Sequence, residues 1–196
     1  MEQQNFERAQ QQLPMQPFAW PSGALPKRVL VGAALLTVVL MAAIFATNAP
    51  LENPAAPMGI VSLQLAGSLT AAEEILAAWG PAEQRWAIRN LVIDYPYLLA
   101  YATALGLACL LLARRFSGQR RMARLGCILS RGVMVAALLD AVENGALLRL
   151  LLGDLREVWV ALAMWCAVPK YLLVLAALVY LSVGGLVCLI RKVTAA

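Results

Sequence analysis

Residues 29–47, VLVGAALLTVVLMAAIFAT, carry neither charge nor proline, and a helix of that length, rising 1.5 Å per residue, crosses the roughly 30 Å of bilayer hydrocarbon. Three later stretches have the same character with a few polar interruptions, at about 91–113, 127–151 and 159–190. In hydrocarbon every backbone N–H and C=O must find a partner within the protein, and a helix does this inside a single segment. The predicted fold class is therefore all-α: an integral membrane four-helix bundle with a short helical loop on its outer face. Composition supports this, because 62% of the residues are hydrophobic and only 14% charged, against about half and a quarter in soluble domains. A single core in a chain of 196 residues could not hide that surplus.

The flanking charges set an expected orientation. Short segments at 27–28, 114–124 and 191–192 are basic and free of acid, whereas 48–90 and 153–157 carry mixed charge. All three basic segments fall on one side of a four-span topology, and the positive-inside rule makes that side cytoplasmic. The expected protein is thus multi-pass in the cell membrane, a bacterial inner membrane, with both termini cytoplasmic. Trp79, Trp86, Tyr95, Tyr97, Trp159 and Trp165 are expected to form an aromatic belt at the outer interface.

Residues 1–26, rich in Gln and Pro, read as a flexible cytoplasmic tail preceding a transmembrane domain over 27–196. The first span is expected to be a retained anchor. A cleaved signal would have a shorter leader, a shorter apolar run and no Pro50 just beyond the candidate site after Ala49. In the extracytoplasmic loop, 48–90, the pattern predicts an extended stretch over 60–65. It then predicts a helix opened by a capping box at Thr70 and Glu73 and stopped at Gly80. Pro81 suits the first turn of another helix that runs directly into the second span. The loop alternates Leu, Trp and Ala with Glu and Arg, so it is expected to lie along the membrane surface.

Several function classes drop out. The chain has no histidine, which removes His-ligated haem, His-zinc sites and Ser-His-Asp catalysis. Cys109, Cys127, Cys166 and Cys188 stand singly in apolar segments and read as small buried hydrophobes. No cofactor and no metal are expected. The net charge of +5 is concentrated beside the spans without interleaved exposed aromatics, so no nucleic-acid partner is expected either.

The residues that carry information are the ionisable ones inside the spans, since a charge at mid-bilayer costs at least about 2.5 kcal/mol. Arg131 and Arg149 lie towards opposite ends of the third span and can snorkel. Asp140, Glu143 and Asn144, at i, i+3 and i+4, share one face of that helix too far from either end to do so. Asp94, Tyr97 and Tyr101 share a face of the second span that continues through Ala104 and Ala108. On the fourth span Trp159, Ala163, Cys166, Lys170, Ala177 and Gly184 form a stripe of mostly small residues with Lys170 as its one charge. Small residues at Ala100, Ala104 and Ala108, and at Ala137, Ala141 and Gly145, suit close helix packing.

If the three faces converge, three acids meet one base. A proton, a cation or outer water must then complete the site. The competing reading is structural. Asp140 with Lys170, and Asp94 with the tyrosine hydroxyls, would be interhelical hydrogen bonds that fix which faces meet.

The stretches IDYPYLLAYATAL (93–105), LLDAVENGALLRLL (138–151) and VPKYLLVLAALVYL (168–181) resemble a group of small bacterial four-span membrane proteins with no settled activity. The resemblance covers the spans and the outer loop, implies the same fold, and brings no catalytic residue with it. A looser similarity, in pocket style alone, is to sterol-binding and sterol-isomerising four-helix bundles. The histidine such isomerases use has no counterpart here.

The expected function is non-enzymatic: binding a lipid-like or cationic ligand within the bundle, or serving as an accessory subunit of a larger membrane complex. The small-residue faces and Pro-rich tail suit a membrane-protein partner or a homo-oligomer, besides membrane lipids. Two alternatives stay open. One is an enzyme on a lipophilic substrate, with Asp140 or Glu143 as proton donor and Lys170 stabilising negative charge. The other is a small proton- or cation-coupled transporter. The ligand or proton site candidates are Asp94, Tyr97, Tyr101, Asp140, Glu143, Asn144 and Lys170.

Overall fold

The computed structural model describes residues 25–116 and 118–194. The expected tail falls outside the described residues as far as position 24. Leu25 and Pro26 already belong to the first helix, α1 (Leu25–Asn48), where proline in the first turn loses no hydrogen bond. A 3-10 turn (Ala49–Leu51) leads to two short helices, α2 (Ile60–Gln64) and α3 (Leu69–Ala78). Three long helices complete the chain: α4 (Pro81–Arg115), α5 (Arg120–Leu151) and α6 (Glu157–Thr194). The fold is an all-α four-helix bundle, and α1, α4, α5 and α6 are each long and apolar enough to cross a membrane. The protein is a multi-pass membrane protein.

α5 packs along both α4 and α6, α4 and α6 touch over a smaller area, and α1 lies against α4. The contact between α1 and α4 has a polar fastener. Asn90 Nδ2 donates to the carbonyl of Ile44 at 2.9 Å and to Thr47 Oγ1 at 2.8 Å. Towards the end of the bundle that carries the basic segments, glycines bring the helices close. A Cβ on Gly126 of α5 would meet the Tyr180 hydroxyl and stand 2.8 Å from Ala113 Cβ, and one on Gly184 would stand 2.7 Å from Leu112 Cδ2.

The segment 49–80 forms a cap on the opposite end. It packs onto the ends of the long helices through its own apolar side chains. Leu51, Leu63, Ile75, Leu76 and Trp79 are buried in one core with Leu91, Leu147, Leu150, Val160 and Ala163 from the ends of α4, α5 and α6. Each large side chain buried this way stabilises the cap by roughly 1.5–3 kcal/mol, more than an amphipathic surface position would return. Trp79 consequently leaves the expected aromatic belt. It is 1% exposed and its indole N–H donates to the carbonyl of Leu51 at 2.8 Å. Trp86, Tyr95 and Trp165 remain exposed, and Trp159 is half-buried.

Two local expectations need correction. Residues 60–65 are helical over α2 rather than extended. Gly59 takes φ +57°, where a Cβ would strike the Asn48 amide, and Asn48 Oδ1 accepts the N–H of Ile60 at 2.9 Å. The chain is thereby turned into a helix that buries Ile60, Leu63 and Gln64 at helical spacing. The cap of α3 is Ser68, whose hydroxyl accepts from the N–H of Ala71 at 3.2 Å, so Thr70 lies inside the helix. Glu157 of α6 takes the neighbouring orphan amide, accepting from Leu69 N at 2.9 Å. A long-range partner thus supplies what the local capping box was expected to supply.

Prolines interrupt neither long helix. α4 continues through Pro96 and α6 through Pro169. α6 is 38 residues long, more than hydrocarbon requires, and its first turns stand against the cap. In the turn between α5 and α6, Arg156 grips Asp154 with Nε at 2.7 Å and Nη2 at 2.8 Å, and Trp159 Nε1 adds a bond at 2.8 Å. These donors, Arg156 first and Trp159 second, hold the Asp154 carboxyl below the usual carboxylate range.

Candidate functional site

Spacing on α5 places Asp140, Glu143 and Asn144 on one face, and that face is turned wholly inward. The three residues are 5%, 0% and 0% exposed. Opposite them, Ala163, Cys166, Ala167 and Ala177 of α6 are buried and small, which lets the helices approach and leaves Lys170, 5% exposed, as the long side chain between them. Its ammonium Nζ lies 2.5 Å from Asp140 Oδ1 and 2.8 Å from Glu143 Oε2. The contact to Asp140 is a hydrogen-bonded ion pair, whereas the one to Glu143 has the distance of an ion pair without the angle of a hydrogen bond.

α4 closes the third side. Tyr101, 5% exposed, donates its hydroxyl to Asp140 Oδ2 at 3.1 Å, so both oxygens of that carboxylate are engaged. The Tyr97 ring leans on Tyr101 with centroids 5.2 Å apart at 50°. Asp94 is bound by Asn144, whose Nδ2 donates to Asp94 Oδ2 at 2.6 Å. The three helix faces therefore meet, and all seven candidates lie in or against one cluster. The partners differ in one respect from expectation: tyrosine serves Asp140, and Asp94 turns to the amide of Asn144 instead of a tyrosine hydroxyl. Asn144 is fully buried, and its amide spans from α5 to α4 to reach Asp94.

Three fully buried acceptor atoms in this cluster receive no hydrogen bond: both carboxylate oxygens of Glu143, of which Oε2 keeps its ion pair with Lys170, and Asn144 Oδ1. Burying such a group without a partner costs about 1–3 kcal/mol, more for a charged one. Among the described residues no group of three or more His, Cys, Asp or Glu is arranged to hold a metal ion.

The cap reaches the cluster through a pair absent from the sequence candidates. Tyr171 donates its hydroxyl to Gln64 Oε1 of α2 at 2.8 Å, and the Lys170 ammonium lies 5.1 Å from the Tyr171 ring centroid. Gln64 was legible only as a polar residue in the apolar run IVSLQL, and Tyr171 only as the neighbour of Lys170. Asn90, one turn before Asp94 on the same helix, is another polar residue the candidate set omitted; it serves α1. Of the two arginines expected to snorkel, Arg149 lies over the Trp159 ring at 5.7 Å, and Arg131 is exposed.

Compared with protein-family models, with curated proteins and with solved structures, the chain finds no match.

Proposed function

We propose that this protein is a non-enzymatic component of a bacterial inner membrane, with both termini cytoplasmic, whose buried cluster is a binding site for a cationic ligand or a proton. The observation that supports this reading most directly is the imbalance at the α5 face. Asp140 and Glu143 share one ammonium, Asp94 stands in the same cluster on the neutral amide of Asn144, and the fully buried Glu143 Oε1 and Asn144 Oδ1 accept no hydrogen bond. Both atoms are acceptors, so what completes them must bring a donor, and the surplus of carboxyls favours a donor that carries positive charge. The resemblance to uncharacterised four-span bacterial proteins agrees with the reading and adds no activity.

The orientation rests on charge. Lys27, Arg28, Arg114, Arg115, Arg120, Arg121, Arg124, Arg191 and Lys192 stand at the end opposite the cap, and among the described residues no acid accompanies them. The cap then faces away from the cytoplasm. The enzymatic alternative has less support, because the Lys170 ammonium is already engaged by two carboxylates and is poorly placed to stabilise charge on a substrate.

Mass spectrometry of the protein extracted with its native lipids, together with infrared difference spectra across a pH change, tests the proposal. A bound cation, or a carboxyl band that appears on acidification and disappears in Glu143→Gln, is the expected result. A protein that carries no cation and shows no carboxyl change would overturn it.

A further inference from the structure

The end of the bundle opposite the cap gathers seven basic residues from three helix ends: Arg114 and Arg115 closing α4, Arg120, Arg121 and Arg124 opening α5, and Arg191 and Lys192 closing α6. All seven are exposed, and among the described residues no Asp or Glu stands with them. Tight packing holds these ends together. Gly126 lies beneath Tyr180, Tyr180 donates its hydroxyl to the carbonyl of Met122 at 3.2 Å, and Gly184 lies beneath Leu112 and Phe116. The guanidinium of Arg191 then sits 5.8 Å from the ring centroid of Phe116, a residue 2% exposed at the end of α4. The basic pair of α6 is thereby fixed beside the turn between α4 and α5.

Such an arrangement opposes like charges, and only part of it is relieved inside the protein. Arg114, Arg115, Arg191 and Lys192 lie in the last turns of their helices, where the negative end of the helix dipole favours them. Arg120 and Arg121 lie in the first turn of α5, where the dipole opposes them, and that turn contains no acid. An external anion is what the charge distribution calls for.

The surroundings decide which anion. Leu125 and Ile128 beside Arg124, and Leu189, Ile190 and Val193 beside Arg191 and Lys192, are all more than 40% exposed. Cations thus stand at the rim of an apolar surface that continues down the spans. An inorganic phosphate or a nucleic acid would leave that apolar flank uncovered, whereas a phospholipid covers it with acyl chains while its phosphate meets the arginines. We infer that this collar is a binding site for anionic phospholipid headgroups of the surrounding leaflet, with Arg120, Arg121 and Arg124 as its principal contacts.

The full-length protein in nanodiscs of mixed phosphatidylglycerol and phosphatidylcholine, released into a native mass spectrometer, tests this. Retained phosphatidylglycerol should exceed its share of the bilayer, and each arginine replaced by Gln should lower the preference by about fivefold. The triple variant Arg120→Gln/Arg121→Gln/Arg124→Gln should lose most of it while melting in pure phosphatidylcholine at the wild-type temperature. The pair Arg85→Gln/Arg89→Gln, on the cap side of α4, should keep it. Equal retention of the two lipids, an unchanged preference in the triple variant, or displacement of the lipid by inorganic phosphate at equal concentration would each overturn the inference.

Discussion

Lys170 of α6 and Asp140 of α5 approach to 2.5 Å at positions 7% exposed or less, and Asp140 carries a hydrogen bond on each oxygen, from Lys170 and from Tyr101. Asp140 thus ties together α4, α5 and α6, through Tyr101, its own helix and Lys170. Glu143, one turn further along α5, touches the same ammonium but accepts no hydrogen bond. The two acids are therefore not equivalent, although their sequence positions give no reason to rank them.

Replacing Lys170 with Met should be among the most destabilising single changes in the chain. It leaves two buried carboxyls without their cation, a loss of about 3–5 kcal/mol for a broken buried pair. Adding Asp140→Asn and Glu143→Gln should restore most of that stability, as read from thermal unfolding in detergent. A Lys170→Met protein that melts at the wild-type temperature would contradict the pairing.

The inequality of the acids is separately measurable. Asp140→Asn should cost about 1–3 kcal/mol, because it weakens two hydrogen bonds at once. Glu143→Gln removes a carboxyl from a site with a surplus of them, and is expected to lie within about 1 kcal/mol of wild type. Equal losses for the two variants would show that Glu143 is held as firmly as Asp140.

The cap should loosen without the bundle. Tyr171→Phe deletes the bond to Gln64 and should lower cap stability by about 1 kcal/mol. Hydrogen exchange over 60–64 is expected to accelerate while exchange in α5 stays unchanged. Acceleration along α5 as well would mean that Tyr171 supports the bundle itself.

At the opposite end, Gly126→Ala should cost about 1–3 kcal/mol, since its methyl group must displace Tyr180 or spread α5 from α4. Gly145→Ala, where an added Cβ meets nothing within 4 Å, should be tolerated, and its helix preference should improve slightly. The two alanine variants are compared by thermal melting in one detergent, and equal melting temperatures would contradict the close approach at Gly126.

Outside the spans, the turn between α5 and α6 should respond to acid. Bonds from Arg156 and Trp159 hold the Asp154 carboxyl below its ordinary value of 3.8. A carboxyl depressed in the folded state contributes stability that is complete above that ordinary value and is lost as pH falls through the lower, folded one. Fluorescence of Trp159, isolated by replacing the other tryptophans with Phe, is expected to stay flat from neutrality to about pH 4 and to change only below. Asp154→Asn should abolish the change; a transition near pH 6 would assign it to another group.

The linear order of residues was enough to establish the fold class, the four spans and the inward faces of α4, α5 and α6. Hydrophobic length and helical periodicity are local properties, and lipid gives the backbone no alternative to the helix. The same periodicity grouped Asp140, Glu143 and Asn144, and nominated Lys170 as their counter-charge.

What it could not supply was the assignment of partners. Tyr101 donates to Asp140 rather than to Asp94, Asn144 takes Asp94, Ser68 and Glu157 cap α3, Trp79 points into the protein rather than towards the interface, and Gln64 meets Tyr171. Each of these depends on the rotation and axial offset of one helix against another, to within a few ångströms. Those quantities are set by glycine and alanine contacts between residues far apart in the chain, so only the packed tertiary structure decides them.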